Sequence, residues 1–256
     1  MNRGIIIGAV VVVVLALGGW YLLNNMPVNT SSNGENQNNG SQANGTIILS
    51  VTDAAANMGT ITNVDMSVDR VYLHSAAQGW VLVSQSAQTF SLLDLKSEGQ
   101  LALLANIDVA VDTYDQVWLH ITGVKVTQAG KVIDATMPTG DFKVSGVMKV
   151  YENTTSTATI DVLADESLFV TDTKAIVFAP VVKFESRSNA TATVDANNMV
   201  VISGGTIDAS VNAGMDVSGE VKTNFKIDAD SVLQINDGVL EIKGATNTET
   251  NINLGN

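Results

Sequence analysis

The chain has 256 residues, 26 acidic and 13 basic side chains, a formal charge of −13 and no cysteine. Nucleic-acid phosphates need clustered Lys and Arg, so this balance argues against a nucleic-acid partner and against electrostatic docking on anionic lipid. Without cysteine there is no disulfide, thiolate metal site, cysteine nucleophile or bacterial lipid attachment point.

The N-terminal stretch sets the expected compartment. Ile5 to Leu23 carries no charge, and at about 1.5 Å per residue a helix of that length nearly crosses a hydrocarbon core of about 30 Å. Arg3 precedes the run and the first charge after it is Glu35, so the positive-inside bias keeps residue 1 in the cytoplasm and places the rest outside. Residues 1–23 therefore read as a single-pass signal anchor in the cell membrane, with Trp20 and Tyr21 at the outer interface. Two other readings compete: signal-peptidase cleavage after Ala16-Leu17-Gly18, and a prepilin-like leader ending at Gly4. The second lacks the glutamate found at the fifth position of a mature pilin, where Ala9 stands.

Residues 24–45 are almost all Asn, Gln, Ser, Gly and Thr, with too little apolar surface to offset the entropy of ordering. This is a flexible polar tether spanning about 25 Å on average.

From Thr46 onward the pattern is that of an all-β chain. Val, Ile and Thr are frequent, prolines number three, and apolar residues alternate over short stretches. Thr46 to Thr52 forms the first such stretch. Val64, Met66, Val68, Val71 and Leu73 form the second, and the same spacing returns in Val117, Leu119, Ile121, Val124 and Val126, each 53 positions on, Val64 to Val117 being the first pair. In both copies the apolar parity switches midway. Side chains alternate strictly along a strand, so each switch needs an extra residue, expected as a bulge at Asp69 or Arg70 and another at Thr122-Gly123. The two bulged strands are either pseudo-symmetric positions of a sandwich or neighbours in one sheet.

Between the copies, Gly79 to Val83 and Thr89 to Leu95 read as strands and Gln100 to Ala105 as one or two helical turns. Further strands are expected at Lys131–Ala135, Phe142–Tyr151, Ser156–Val162, Ser167–Thr171 and Ala175–Phe184. The expected architecture is a Greek-key-like antiparallel β-sandwich over residues 46–185. Residues 186–256 supply additional strands packed on or following it, with breaks at Gly204-Gly205 and Asn212-Ala213-Gly214. Asp237-Gly238 signals a tight hairpin between Val232–Ile235 and Val239–Ile242.

A family resemblance rests on Leu49-Ser50-Val51-Thr52-Asp53-Ala54, Val71-Tyr72-Leu73-His74-Ser75, Gly79-Trp80, Leu92-Leu93-Asp94-Leu95, Tyr114, and Ala179-Pro180-Val181-Val182. In order and spacing these resemble domain of unknown function 4382, over about Thr46 to Glu185. The sequence departs from the family pattern at Ala55 and at Val111-Asp112-Thr113, where prolines are usual. The resemblance implies a secreted or cell-surface β-sandwich and no established activity.

The chemistry-bearing residues are few. His74 and His120 are the only histidines and fall in the two bulged strands. A Gly-x-Ser-x-Gly elbow, a phosphate-binding Walker loop and a dinucleotide fingerprint are missing from the sequence, and Gly204-Gly205 reads as a hairpin turn. Asp228-Ala229-Asp230 and Asp165-Glu166 are calcium candidates without the EF-hand pattern. Asn29, Asn44, Asn153 and Asn189 stand in Asn-x-Ser/Thr sequons. Trp80, Trp118, Tyr72, Tyr114 and Tyr151 are candidates for an aromatic platform or for core packing. No catalytic, cofactor-binding or metal residue is assigned. The expected function is a membrane-anchored, extracytoplasmic binding, adhesive or scaffolding module with an unknown surface protein or glycan as partner. A hydrolase acting on surface polymer and a subunit of a pilus-like filament are the alternatives.

Overall fold

The computed structural model describes residues 43–54, 58–237 and 239–243. The expected anchor over 1–23 and nearly all of the tether lie outside the described residues. Among the described residues no helix is long and apolar enough to cross a membrane.

Along the chain, β1 (Asn44–Asp53) is followed by β2 (Ile61–Ser75), β3 (Gly79–Ser84) and β4 (Gln88–Ser91). A short helix, α1 (Leu92–Glu98), leads to β5 (Leu101–Ala110), β6 (Thr113–Gln128), β7 (Lys131–Ala135), β8 (Asp141–Lys149) and β9 (Thr155–Val162). The helical turn α2 (Ala164–Ser167) precedes β10 (Leu168–Val170), β11 (Ile176–Phe178), β12 (Val181–Val194) and β13 (Met199–Met215). Then come β14 (Val221–Thr223), β15 (Leu233–Asn236) and β16 (Val239–Ile242).

The fold is all-β and sandwich-like. One sheet has the order β12-β9-β1-β5-β13-β14; the other runs β3-β2-β6-β7, with β4 also on β2 and β8 also on β6. The inward side chains of both, among them Ile47, Leu49, Val51, Ile160 and Phe184 from the first and Val64, Met66, Leu73, Val117 and Leu119 from the second, form one core. Burying such a side chain contributes about 1.5–3 kcal/mol, so the alternation that made these segments strands also fixes which face turns inward. Tyr114 is in this core with 0% exposure. Its hydroxyl donates to the Ala110 carbonyl at 3.0 Å, tying β6 back to the end of β5 as tyrosine corners do.

The two repeat copies are neighbours in one sheet. β2 and β6 pair antiparallel, so the copies meet in reverse order: Val64 faces Val126, Met66 faces Val124, Val68 faces Ile121, Val71 faces Leu119, and Leu73 faces Val117. Val68 and Ile121 are equivalent positions of the repeat, and a local two-fold axis runs through that pair. The register skips Asp69 on one strand and Thr122 on the other, again equivalent positions. The two bulges flank the axis and reset the inward parity of both strands together.

Several expectations are corrected. The first sheet is mixed, not antiparallel, because β1 pairs parallel with β9 while pairing antiparallel with β5. Parallel neighbours need a long crossover, and here the whole second sheet lies between them in the chain. The segment Leu92 to Leu95 is helical, since Leu92 and Leu95, three apart, are the buried pair. Gly99 ends that helix at φ 62°, a left-handed cap that glycine adopts without penalty. Leu101 to Ala105, expected as helical turns, opens strand β5.

Gly204-Gly205 is not a hairpin turn. Both glycines lie within β13 at φ 64° and 77°, and the pairing with β12 passes from Ser188↔Thr206 to Ala190↔Gly204, leaving out Asn189 and Gly205. Asn212-Ala213-Gly214 likewise continues β13. Position 186 lies inside β12, and β13 with β14 completes the first sheet. The β15–β16 hairpin forms as read, with Asn236 opposite Val239.

The β12–β13 ribbon also curls back on its own sheet. The start of β13 pairs with β5 through Met199↔Ala102 and Val200↔Leu101, and Leu103 N–H donates to the Asn198 carbonyl at 2.9 Å. The strands β1, β9, β12, β13 and β5 thereby close a ring of hydrogen-bonded neighbours.

Candidate functional site

The outward face of the second sheet gathers most of the chain's chemistry-bearing residues. Because register is fixed by the buried face, the outward side chains of four strands line up in rows. One row is Leu82, Tyr72, Trp118 and Lys143, from β3, β2, β6 and β8. A second holds Trp80, His74, Gln116 and Ser145, and a third Arg70, His120 and Asp141. At about 4.8 Å between strands the first row is about 14 Å long.

Within the first row the rings stand on edge and pack face to face. Tyr72 and Trp118 stack with centroids 4.5 Å apart and planes 20° apart. The Lys143 ammonium lies 4.6 Å from the Trp118 centroid, on the side away from Tyr72, at cation–π distance. Trp80 meets Trp118 edge-on at 5.5 Å and 77°, and His74 lies 5.0 Å from Trp80. Trp118 Nε1 donates to Asp141 Oδ1 at 3.1 Å. The faces of Trp118 are thus taken by its neighbours. What reaches solvent is a ridge of ring edges together with Trp80, which is 39% exposed, and Leu82, 41% exposed.

The flanking charges are held in pairs. His74 Nδ1 lies 2.7 Å from Asp115 Oδ1, and His120 Nδ1 lies 2.5 Å from Asp69 Oδ1. Arg70 Nη2 is 3.0 and 3.2 Å from the two ring nitrogens of His120. A carboxylate only accepts, so His120 Nδ1 donates to Asp69, which leaves Nε2 as the ring nitrogen able to accept from Arg70 Nη2. The hydrogen bond from His120, opposed in part by desolvation and joined by that from Arg70, holds the Asp69 carboxyl below its ordinary value. The same carboxylate raises the Arg70 guanidinium.

The sequence candidates divide accordingly. Tyr72, Trp80, Trp118 and both histidines come together on this face. Tyr114 is a core residue and Tyr151 stands apart at the β8–β9 turn, 44% exposed. Asp165 and Glu166 lie beside the turn after Ile227 in one shallow cleft, but Lys226 Nζ sits 3.6 Å from Glu166 Oε1, and Asp228 Oδ1 caps the Asp230 N–H. Among the described residues no group of three or more His, Asp or Glu side chains is placed to hold a metal ion. Sequence reasoning missed Lys143, Asp141 and Arg70. For Lys143 and Asp141 the signal was the alternation of β8, where Phe142 and Val144 are buried and Asp141, Lys143 and Ser145 face out.

The family model described as Domain of unknown function (DUF4382) matches residues 44–247, and the chain belongs to that family. The match extends past Glu185 through β12, β13 and the β15–β16 hairpin. No curated protein and no solved structure matches the chain.

Proposed function

We propose that this member of a domain family of unknown function is a membrane-anchored, extracytoplasmic binding module whose ligand face is the aromatic ridge of the second sheet, and that its ligand is a protein surface. The observation that carries this reading is the row Leu82–Tyr72–Trp118–Lys143 with Trp80 beside it, standing out of a rigid sheet. Trp, Tyr and Arg are the residues in which interface binding energy concentrates. Their rotamers are already fixed by stacking and by paired charges, so little further entropy is lost on docking. A stacked sugar would need open ring faces, and those of Trp118 are occupied within the row. The uncharged run Ile5 to Leu23, with Arg3 before it and the polar tether after it, supports the anchored, outward orientation.

The test captures partners from envelope extract with the full-length protein in detergent. Wild type retains a stoichiometric protein partner, and Trp80→Ala weakens that complex by about 30-fold, the equivalent of about 2 kcal/mol for a central interface aromatic. Capture undiminished by both Trp80→Ala and Tyr72→Ala sinks the proposal. Protease added to intact cells is expected to release a folded β fragment by cutting in residues 24–45; N-terminal sequencing that finds a start at Gly19 removes the anchor, and a start at Ile5 moves the pilus-like filament reading to first place.

A further inference from the structure

A second surface lies where strands of the two sheets run edge to edge. A cleft of 610 Å³ separates the end of β3 and the loop after it from the middle of β5. Its walls include Leu82 to Ser84 of β3 and Leu103 to Ile107 of β5. Neighbouring residues of a strand point to opposite faces, so a consecutive run lines a cleft along the strand's edge, where the backbone N–H and C=O groups lie. Both edges are open here. Among the described residues β3 pairs with β2 alone, and β13 covers β5 only at Leu101 to Leu103, where β13 begins. From Ala105 onward β5 has β1 on one side and no strand on the other.

The lining states what fits. Exposed strand edges are normally guarded by charge or proline, and neither Gly79 to Ser84 nor Leu103 to Ile107 contains either. In a chain of net charge −13, none of the residues lining the cleft is charged. A charged side chain drawn into it would therefore lose water without gaining a counter-charge. Amides stand in place of charge. The side chains of Gln85, Gln88, Asn106 and Asn198 line the cleft and make no hydrogen bond among the described residues, and each amide can both donate to and accept from a peptide group.

We propose that this cleft receives an extended, uncharged segment of a partner protein as an added β-strand. The segment bonds through its backbone to the open edge of β5, in line with β13, and the four amides hold its flanks. Strand addition of this kind takes its affinity from main-chain hydrogen bonds and its selectivity from alternate side chains. Here the absence of charge in the lining selects against Asp, Glu, Lys and Arg. The bonding edge belongs to the other sheet from the aromatic ridge and stands independently of it; Leu82 borders both.

The test selects phage-displayed random ten-residue peptides on the full-length protein in detergent, then synthesises and titrates the enriched sequences. At least one is expected to bind saturably through an uncharged core of about six residues, the length of an ordinary strand. Asn106→Lys and Gln85→Lys, both at exposed positions, should each weaken it at least about tenfold by guarding the edge with charge. Val132→Lys puts the same charge on β7, at the other end of the second sheet, and should leave binding unchanged. All three substitutions are at the surface, so their Tm values should match wild type and separate lost binding from lost folding. Methylating the peptide's backbone nitrogens one at a time reads the strand directly. Alternate positions should weaken binding at least about tenfold and those between should not, because every second N–H of an added strand faces β5. Cellohexaose, a neutral oligosaccharide, is titrated in parallel and should not bind. Failure to enrich any peptide, binding that survives either cleft lysine, N-methylation effects without alternation, or saturable binding of cellohexaose in place of a peptide overturns the proposal.

Discussion

The two halves of the β2–β6 ribbon share one inner face and differ in their outer one. Around the axis at Val68–Ile121, the half containing Val71, Leu73, Val117 and Leu119 and the half containing Val64, Met66, Val124 and Val126 present equivalent buried residues to the core, all at 2% exposure or less. Outward, the first half carries Arg70, Tyr72, His74, Trp118 and His120, and the second Asn63, Asp65, Ser67, Lys125 and Thr127. The second half is covered by ordinary polar pairing: Ser67 with Thr89 at 2.8 Å, Asn63 Nδ2 to Asp65 Oδ1 at 2.9 Å, and Lys125 with Asp134 at 2.6 Å. A core constraint acts on both halves alike and keeps them alike. The outer face has no such constraint, so an aromatic ridge confined to one half points to a local demand on that half alone.

The largest expected effect tests the shared inner face. Leu119 and Met66 are equivalent positions, each 1% exposed. Leu119→Ala and Met66→Ala should each destabilise by about 2–5 kcal/mol through lost burial and the cavity left behind. Urea denaturation measures both. If one costs less than about 0.5 kcal/mol while the other falls in range, the two halves are not equivalent in packing and the comparison fails at its base.

How much of this was legible in the sequence follows from which features are local. Alternation is local, so the inner residues of β2 and β6 and both bulge positions could be read directly. The repeat was legible too, but the antiparallel pairing of its copies was not, because a repeated pattern has no direction of its own. The parallel β1–β9 pair and the return of β13 to β5 join segments far apart in the chain, and nothing in either segment names its partner. The candidate sites divide along the same line. Tyr72, Trp80 and Trp118 stood out by residue type, whereas Lys143 joined them only through the β6–β8 register. Gly204-Gly205 had the composition of a turn and instead continues β13 in step with β12, since positive φ suits either a turn or an irregular strand and the pairing decides.

A smaller effect tests the outer face. Trp118 and Asp65 are equivalent positions about the axis. Trp118→Ala removes the stack on Tyr72, the Lys143 contact and a half-buried ring, and should cost about 1–3 kcal/mol. Asp65→Ala removes one contact, that with Asn63, among half-buried polar groups at the sheet surface and should stay within about ±0.5 kcal/mol. Chemical denaturation of the two variants side by side checks this, and near-equal values would mean that the ridge is no better organised than the polar half.

The smallest expected effect concerns the bulges themselves. Asp69 and Thr122 are the extra residues on either side of the axis, and only Asp69 carries charge, held by His120 and Arg70. The folded-state carboxyl lies below its ordinary 3.8, so the unfolded chain takes up the proton first as pH falls. The stability this contributes is present above 3.8 and is lost as pH drops through the lower, folded value. Asp69→Asn should therefore have a slightly lower Tm than wild type at pH 6 to 7, and the gap should close on acidification below 3.8. Because the group is exposed, solvent screening keeps the gap small. Thr122→Ala alters the equivalent bulge without touching a titrating group, so its Tm should run parallel to that of wild type across the same range. A series of thermal melts from neutral to acid pH reads both curves. A gap for Asp69→Asn that stays constant below 3.8 would mean that the carboxylate stabilises the bulge by shape alone, and the electrostatic difference between the two halves would then lie elsewhere on the ridge.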